Sequence, residues 1–211
     1  MTTERTPDQD SPPASDRAFN IVAMAASAGG LKALRELLSH LPASFPAAIV
    51  VVQHLAPDYQ SMMAEILERA TPLRTKQAEE GDRIEGGMVH IAPPDHHLLV
   101  NGDGTLSLSH SELVHFVRPS ADLLFESVAA SYGERAIAVV LTGTGSDGDM
   151  GVQAIKSMGG LVIAQDPESA DFPGMPRTAI DTGCVDLVLR LDEIPGKLLE
   201  LVRGIIDLPE S

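Results

Sequence analysis

The chain has 211 residues, 44% of them hydrophobic, enough to bury the core of one domain. Its formal net charge of -15 at pH 7 repels a phosphate backbone, which excludes sequence-independent nucleic-acid binding and disfavours anionic membrane surfaces. With 3% aromatic residues, no Trp, one Cys and no apolar run near the ~20 residues of a membrane span, base-stacking platforms, a disulfide framework and membrane insertion are excluded as well.

Residues 1–18 are polar, with Pro7, Pro12 and Pro13 and no apolar h-region, so a disordered tail is expected and no secretory signal is visible. The lone thiol, Cys184, fits a reducing compartment and reads as a buried spectator; the expected location is the cytoplasm. Asn20 to Ala25 is an uncharged run, hence a strand buried on both faces. It ends at Ser27-Ala28-Gly29-Gly30, and from Leu31 the positions Leu34, Leu37, Leu38 and Leu41 follow helical spacing until Pro42. Ala47 to Val52 is a second buried strand, ending in Gln53-His54-Leu55-Ala56-Pro57. The next helix is expected over 59–70, with Met62, Met63, Ile66 and Leu67 inward.

Beyond it the pattern changes. Gly86-Gly87 and Pro93-Pro94 bracket Met88 to Ala92, and His97 to Val100 faces Thr105 to Ser109 across Asn101-Gly102-Asp103-Gly104. The strict alternation of Thr105 to Ser109 marks a half-exposed antiparallel strand, so this region reads as an inserted β-hairpin. Arg118-Pro119-Ser120 opens a helix carrying Leu123, Leu124, Val128 and Tyr132. A buried strand, Ala136 to Leu141, runs into Thr142-Gly143-Thr144-Gly145-Ser146-Asp147-Gly148-Asp149. A helix to Met158, a strand over Leu161 to Ala164, a loop containing Pro167, Pro173 and Pro176, a strand over Val185 to Leu189 and a helix over Leu198 to Ile205 complete the order. Alternating strand and helix patterns predict an α/β fold, a doubly wound, mostly parallel sheet in a Rossmann-like three-layer arrangement with an inserted antiparallel β-hairpin.

In such folds the loops at the carboxyl ends of the strands line the site. Three of them carry Ser27, His54 and Asp147 or Asp149. A hydroxyl, an imidazole that takes its proton and a carboxylate that orients the ring are what a serine nucleophile requires. Each piece has a plainer reading: Ser27 as a helix N-cap, His54 bonded to a loop carbonyl, the aspartates as caps of the following helix. The turn departs from the G-x-S-x-G elbow, since Ala25 stands at the first Gly, and the order Ser, His, Asp differs from that of α/β-hydrolases. A rival reading is dinucleotide binding: Gly143-x-Gly145-x-x-Gly148 joins a strand to a helix, with Asp166 about 20 residues on. Against it, Asp147 puts a carboxylate where the pyrophosphate would lie. His90, His96 and His97 lack zinc-ligand spacing and read as solvated loop residues, so no metal site is assigned, while His110 and His115 fall near the site without a role.

The stretches Ala26-Ser27-Ala28-Gly29-Gly30, Val52-Gln53-His54, His90-Ile91-Ala92-Pro93, Arg118-Pro119-Ser120-Ala121-Asp122, Leu141 to Gly148 and Gly174-Met175-Pro176-Arg177 resemble, in order, the catalytic domain of CheB-type protein-glutamate methylesterases. The resemblance runs from about Asn20 to Val202. It implies a serine hydrolase that removes methyl esters from glutamates of methyl-accepting chemoreceptors, releasing methanol, as counterpart of a receptor methyltransferase. Deamidation of receptor glutamines is also implied. It puts the nucleophile on Ser27, the base on His54 and the acid on Asp147 instead of Asp149, with no cofactor and no metal. Residues 19–206 are then the methylesterase catalytic domain, between the tail 1–18 and a short tail 207–211. The Gly29-Gly30 turn is expected to supply oxyanion donors. Ala28 and Thr144 stand where the family commonly has Thr and Met. The family's N-terminal receiver domain does not fit within the residues before Asn20, so either a free-standing esterase regulated otherwise or one piece of a larger system is expected. The alternative from another class is a non-catalytic nucleotide-binding or chemosensory scaffold module. Oligomeric state is not legible.

Overall fold

A computed structural model of the chain describes residues 20–54 and 62–204. The expected tails 1–18 and 207–211, and the loop through Leu55, Ala56 and Pro57, lie outside the described residues.

The uncharged runs form the middle of the sheet, as their apolarity on both faces requires. Strand β1 (Ile21–Ala26) has every residue buried and pairs in parallel with β2 (Ala48–Gln53) on one side and β7 (Ala136–Val140) on the other, Ala25 lying opposite both Val52 and Val140. Outside β2 come β4 (Met88–Ile91) and the edge strand β3 (Arg74–Gln77); outside β7 come β8 (Leu161–Gln165) and β9 (Leu187–Leu189). The resulting seven-stranded parallel sheet runs β3-β4-β2-β1-β7-β8-β9. The hairpin β5 (His97–Val100) and β6 (Leu106–Ser109) forms a separate two-stranded antiparallel sheet, as the alternation predicts.

Helices cover both faces. On one side α1 (Gly30–Ser39), α2 (Met63–Glu68) and α6 (Ile194–Val202) bury Leu34, Leu37, Leu38, Leu67, Leu198 and Leu201 against alternate residues of the strands. On the other, α3 (Ala121–Tyr132), α4 (Asp149–Ser157) and α5 (Gly174–Asp181) bury Phe125, Val128, Val152, Ile155, Met175 and Ala179, together with Leu98, Val100 and Leu106 of the hairpin. The winding reverses between β1 and β7: the chain leaves β1 toward α1 and β2, and leaves β7 toward α4 and β8. Loops after these two strands therefore diverge and open a crevice at the carboxyl edge.

Several sequence expectations need correction. The stretch with Pro173 and Pro176 is not a loop throughout: α5 starts at Gly174, and Pro176 is in its first turn, where a missing N–H removes no helical bond. Leu198 lies on α6 as expected, but the helix extends back to Ile194 with Pro195 in its first turn, while Ile205 lies outside the described residues. Met62 precedes α2 and is exposed. His90 and His97 are not solvated loop residues; they sit on β4 and β5, 1% and 0% exposed. Cys184 is half-buried against the apolar side chains on the face covered by α3, α4 and α5.

Candidate active site

Because β1 and β2 are in register with Ala26 opposite Gln53, the chain leaves both strands at one level, and Ser27 and His54 are the first residues beyond that level. The His54 N–H donates to the Ala26 carbonyl (3.1 Å), and the Ser27 N–H donates across the crevice to Thr142, just past β7 (3.0 Å). Two buried glutamines at strand ends fix these loops. Gln53 Nε2 donates to the carbonyls of Ser27 (2.7 Å) and His54 (3.1 Å), while Gln165 Oε1 accepts the Thr142 N–H (2.9 Å).

The turn after Ser27 depends on small residues. A Cβ on Gly30 would overlap Gln53 Oε1 and come within 2.7 Å of the Ala26 Cβ. One on Gly143 would lie 2.8 Å from the Ser27 Cβ, so the glycine lets the β7 loop close onto the serine. Ser27 is not the N-cap of α1; that position is Gly29, at φ 76. The Ser27 hydroxyl has no hydrogen-bond partner among the described residues, and Ser27 is half-exposed. The Gly30 N–H is engaged by the Ser27 carbonyl (2.9 Å), which removes one of the two expected oxyanion donors. The Ala28 and Gly29 N–H groups remain without a partner among the described residues.

Asp147 is 6% exposed, in a loop whose neighbours Thr144 to Ser146 are exposed. His54 Nε2–H donates to its Oδ2 (2.8 Å), which leaves Nδ1 as the ring's second nitrogen. The rest of the carboxylate is held by the start of α3. The Ala121 N–H donates to Oδ2 (2.6 Å); the Ser120 hydroxyl (2.8 Å) and the Asp122 N–H (3.3 Å) donate to Oδ1. Burial alone would push this carboxyl up, but His54, the Ala121 N–H and the Ser120 hydroxyl together hold it below the usual carboxylate range. It is an anion on a helix N-terminus, where the dipole favours it. Asp149, the other aspartate of the loop, lies in the first turn of α4, and burial pushes its carboxyl up.

Sequence reasoning missed the residues behind this carboxylate. Ser120 caps α3 and is fully buried; its own N–H donates to His97 Nδ1 (3.1 Å), and His97 Nε2–H donates to the Glu112 carbonyl (3.0 Å). Asp122, 2% exposed, returns the arrangement from α3 to α4: its Oδ1 accepts the Gly148 (3.0 Å) and Gly151 (2.8 Å) N–H groups. Burial pushes the Asp122 carboxyl up to about 6. The signal available was Ser120-Ala121-Asp122 at a helix start, a capping residue with an acid in the first turn. Asp122 also bears on dinucleotide binding, since it fills the N–H groups at the start of α4 that a pyrophosphate would need. A cavity of about 220 Å³ lined by Lys32, Thr142, Gln165, Asp171 and Arg190 lies beside the β7 loop and includes none of Ser27, His54 and Asp147.

Comparison with known proteins gives a consistent relationship. The family described as CheB methylesterase matches residues 22–198. The chain is 42% identical over 183 residues to a protein of Leptospira interrogans, covering 87% of this chain and 95% of that one. It is 41% identical over 210 residues to protein-glutamate methylesterase/protein-glutamine glutaminase 4 of Myxococcus xanthus, covering 95% of this chain and 60% of that one. Among solved structures, the catalytic domain of the Thermotoga maritima CheB methylesterase superposes with a TM-score of 0.84 at 40% identity, covering 87% of this chain and 98% of that one.

Proposed function

The chain belongs to the CheB methylesterase family, and on that premise we propose that it hydrolyses glutamate methyl esters of methyl-accepting chemoreceptors, with Ser27, His54 and Asp147 as its triad. The observation that carries this reading is the His54–Asp147 pair, 2.8 Å apart and largely buried, beside the Ser27 turn at the reversal of the sheet.

The Ser27 oxygen attacks the ester carbonyl while its proton passes to His54 Nδ1, the ring nitrogen that Asp147 leaves free. Asp147 stabilises the imidazolium that forms and fixes which nitrogen carries the resident proton. The Ala28 and Gly29 N–H groups are the donors for the oxyanion. Collapse of the tetrahedral intermediate breaks the carbon–methoxy bond, and the Nδ1 proton goes to the methoxide, giving methanol. Water then attacks the acyl-serine with Nδ1 as base, releasing the glutamate carboxyl and restoring Ser27. The second activity in the relatives' names, glutaminase, follows the same course with ammonia as the leaving group. A receptor methyltransferase supplies the ester in this scheme. The chain spans 60% of the Myxococcus relative.

The test is methanol release from a receptor methylated beforehand by a methyltransferase. The unaltered chain releases methanol, and Ser27→Ala releases none above the uncatalysed rate while retaining its unfolding transition. Turnover by a folded Ser27→Ala chain would refute the mechanism.

A further inference from the structure

We propose that His115 Nδ1, Asp122 Oδ2 and the Asp147 carboxylate form a site for a divalent transition cation of the Zn²⁺ type, and that its occupation inhibits the enzyme. The three ligand atoms lie within 4.8 Å of one another. What points to a ligand is Asp122 Oδ2. The residue is 2% exposed, its Oδ1 is engaged by two N–H groups, and its Oδ2 is buried without a hydrogen-bond partner among the described residues. A buried carboxylate oxygen with no donor is costly, and a cation relieves that cost directly.

The group that faces this oxygen is the His115 imidazole, whose Nδ1 is 3.4 Å away but is not aligned for a hydrogen bond. For zinc–ligand bonds of about 2.0–2.1 Å, a tetrahedron has edges of about 3.3 Å, so the pair already stands at ligand spacing. His115 is aimed there by a tight turn: Val114 and Val117 are bridged, and His115 and Phe116 both have left-handed backbone, at φ 49 and 66. The His115 side chain is 50% exposed, which gives an ion a route in. Imidazole nitrogen with carboxylate oxygen suits a borderline cation better than magnesium or calcium, which prefer oxygen alone.

Inhibition follows from the third ligand. Both Asp147 oxygens are occupied by His54 and the start of α3, so joining the cation draws charge away from His54. This consequence rests on the proposed role of Asp147; binding of the ion does not. The two are separated by two readouts on the full chain. Competition against a chromogenic zinc chelator measures binding, and methanol release with and without added Zn²⁺ measures inhibition. His115→Ala is expected to weaken zinc binding tenfold or more and to move the zinc concentration for half-inhibition by the same factor. His110→Ala, which alters the separate His110–Asp95 pair, is expected to leave both unchanged. Equal zinc affinity in His115→Ala overturns the site. Binding lost in His115→Ala, with methanol release insensitive to zinc in the unaltered chain, overturns the inhibition. A chain that releases no methanol under any condition contradicts the esterase reading, and the chelator measurement still decides the site.

Discussion

At the scale of single residues, the arrangement turns on which nitrogen of His54 meets which oxygen of Asp147. Nε2–H is committed to Oδ2, so Nδ1 is the nitrogen left without that bond, and the carboxylate keeps that tautomer in place. Asp147→Asn puts an amide there, which can present its own N–H toward Nε2 and favour the opposite tautomer. The expected result is a fall in kcat of about a thousandfold to ten-thousandfold with little change in KM, read from methanol release against receptor concentration. A loss confined to KM would mean that Asp147 serves binding. The placement of Ser27 and His54 side by side was legible because each follows an uncharged, buried strand, while the preference for Asp147 over Asp149 came with the family resemblance. Asp122 and His97 were not legible, because a buried acid and a buried histidine have the residue type of the surface; only their partners across other elements identify them.

Among the elements, the start of α3 supports the site. Ser120 receives the Leu123 N–H (3.5 Å) as N-cap and donates to Asp147 at 2.8 Å, so one hydroxyl serves both the helix end and the carboxylate. Ser120→Ala should cost about 1–2 kcal/mol in urea unfolding and reduce kcat about tenfold, since hydrogen bonds to charged groups contribute about 1.5–3 kcal/mol. A stability loss with unchanged kcat would make Ser120 a cap alone. The sheet's centre was legible for a simple reason: β1, β2, β7 and β8 are buried on both faces and carry no charge. The edge strand β3 was not, because Arg74-Thr75-Lys76-Gln77 is polar, as exposed edges tend to be. Helix α5 was obscured by Pro173 and Pro176, which read as breakers until their place at a helix start is known.

For the whole molecule, no helix among the described residues is long and apolar enough to cross a membrane, and the site sits where the winding of the sheet reverses. A loss of stability in acid is expected from its buried histidines. Burial lowers the proton affinity of His97 and of His90, so between the folded value and the ordinary one near 6.5 the unfolded chain binds more protons. Their contribution to stability is therefore full above pH ~6.5 and declines as the pH falls through that value. Asp122 acts with the opposite sign between about 4 and 6, so the informative comparison is between variants. The stability gap between the unaltered chain and His97→Asn should be larger at about pH 7.5 than at about pH 5.5; an equal gap would deny His97 this role. The central claim, that three loops make one nucleophilic centre at Ser27, is tested most directly by mass spectrometry after reaction with a fluorophosphonate. A single adduct on Ser27 is expected, formed at a rate that collapses in His54→Ala and Asp147→Asn. An adduct elsewhere, or labelling of Ser27 at an unchanged rate in those variants, would contradict it.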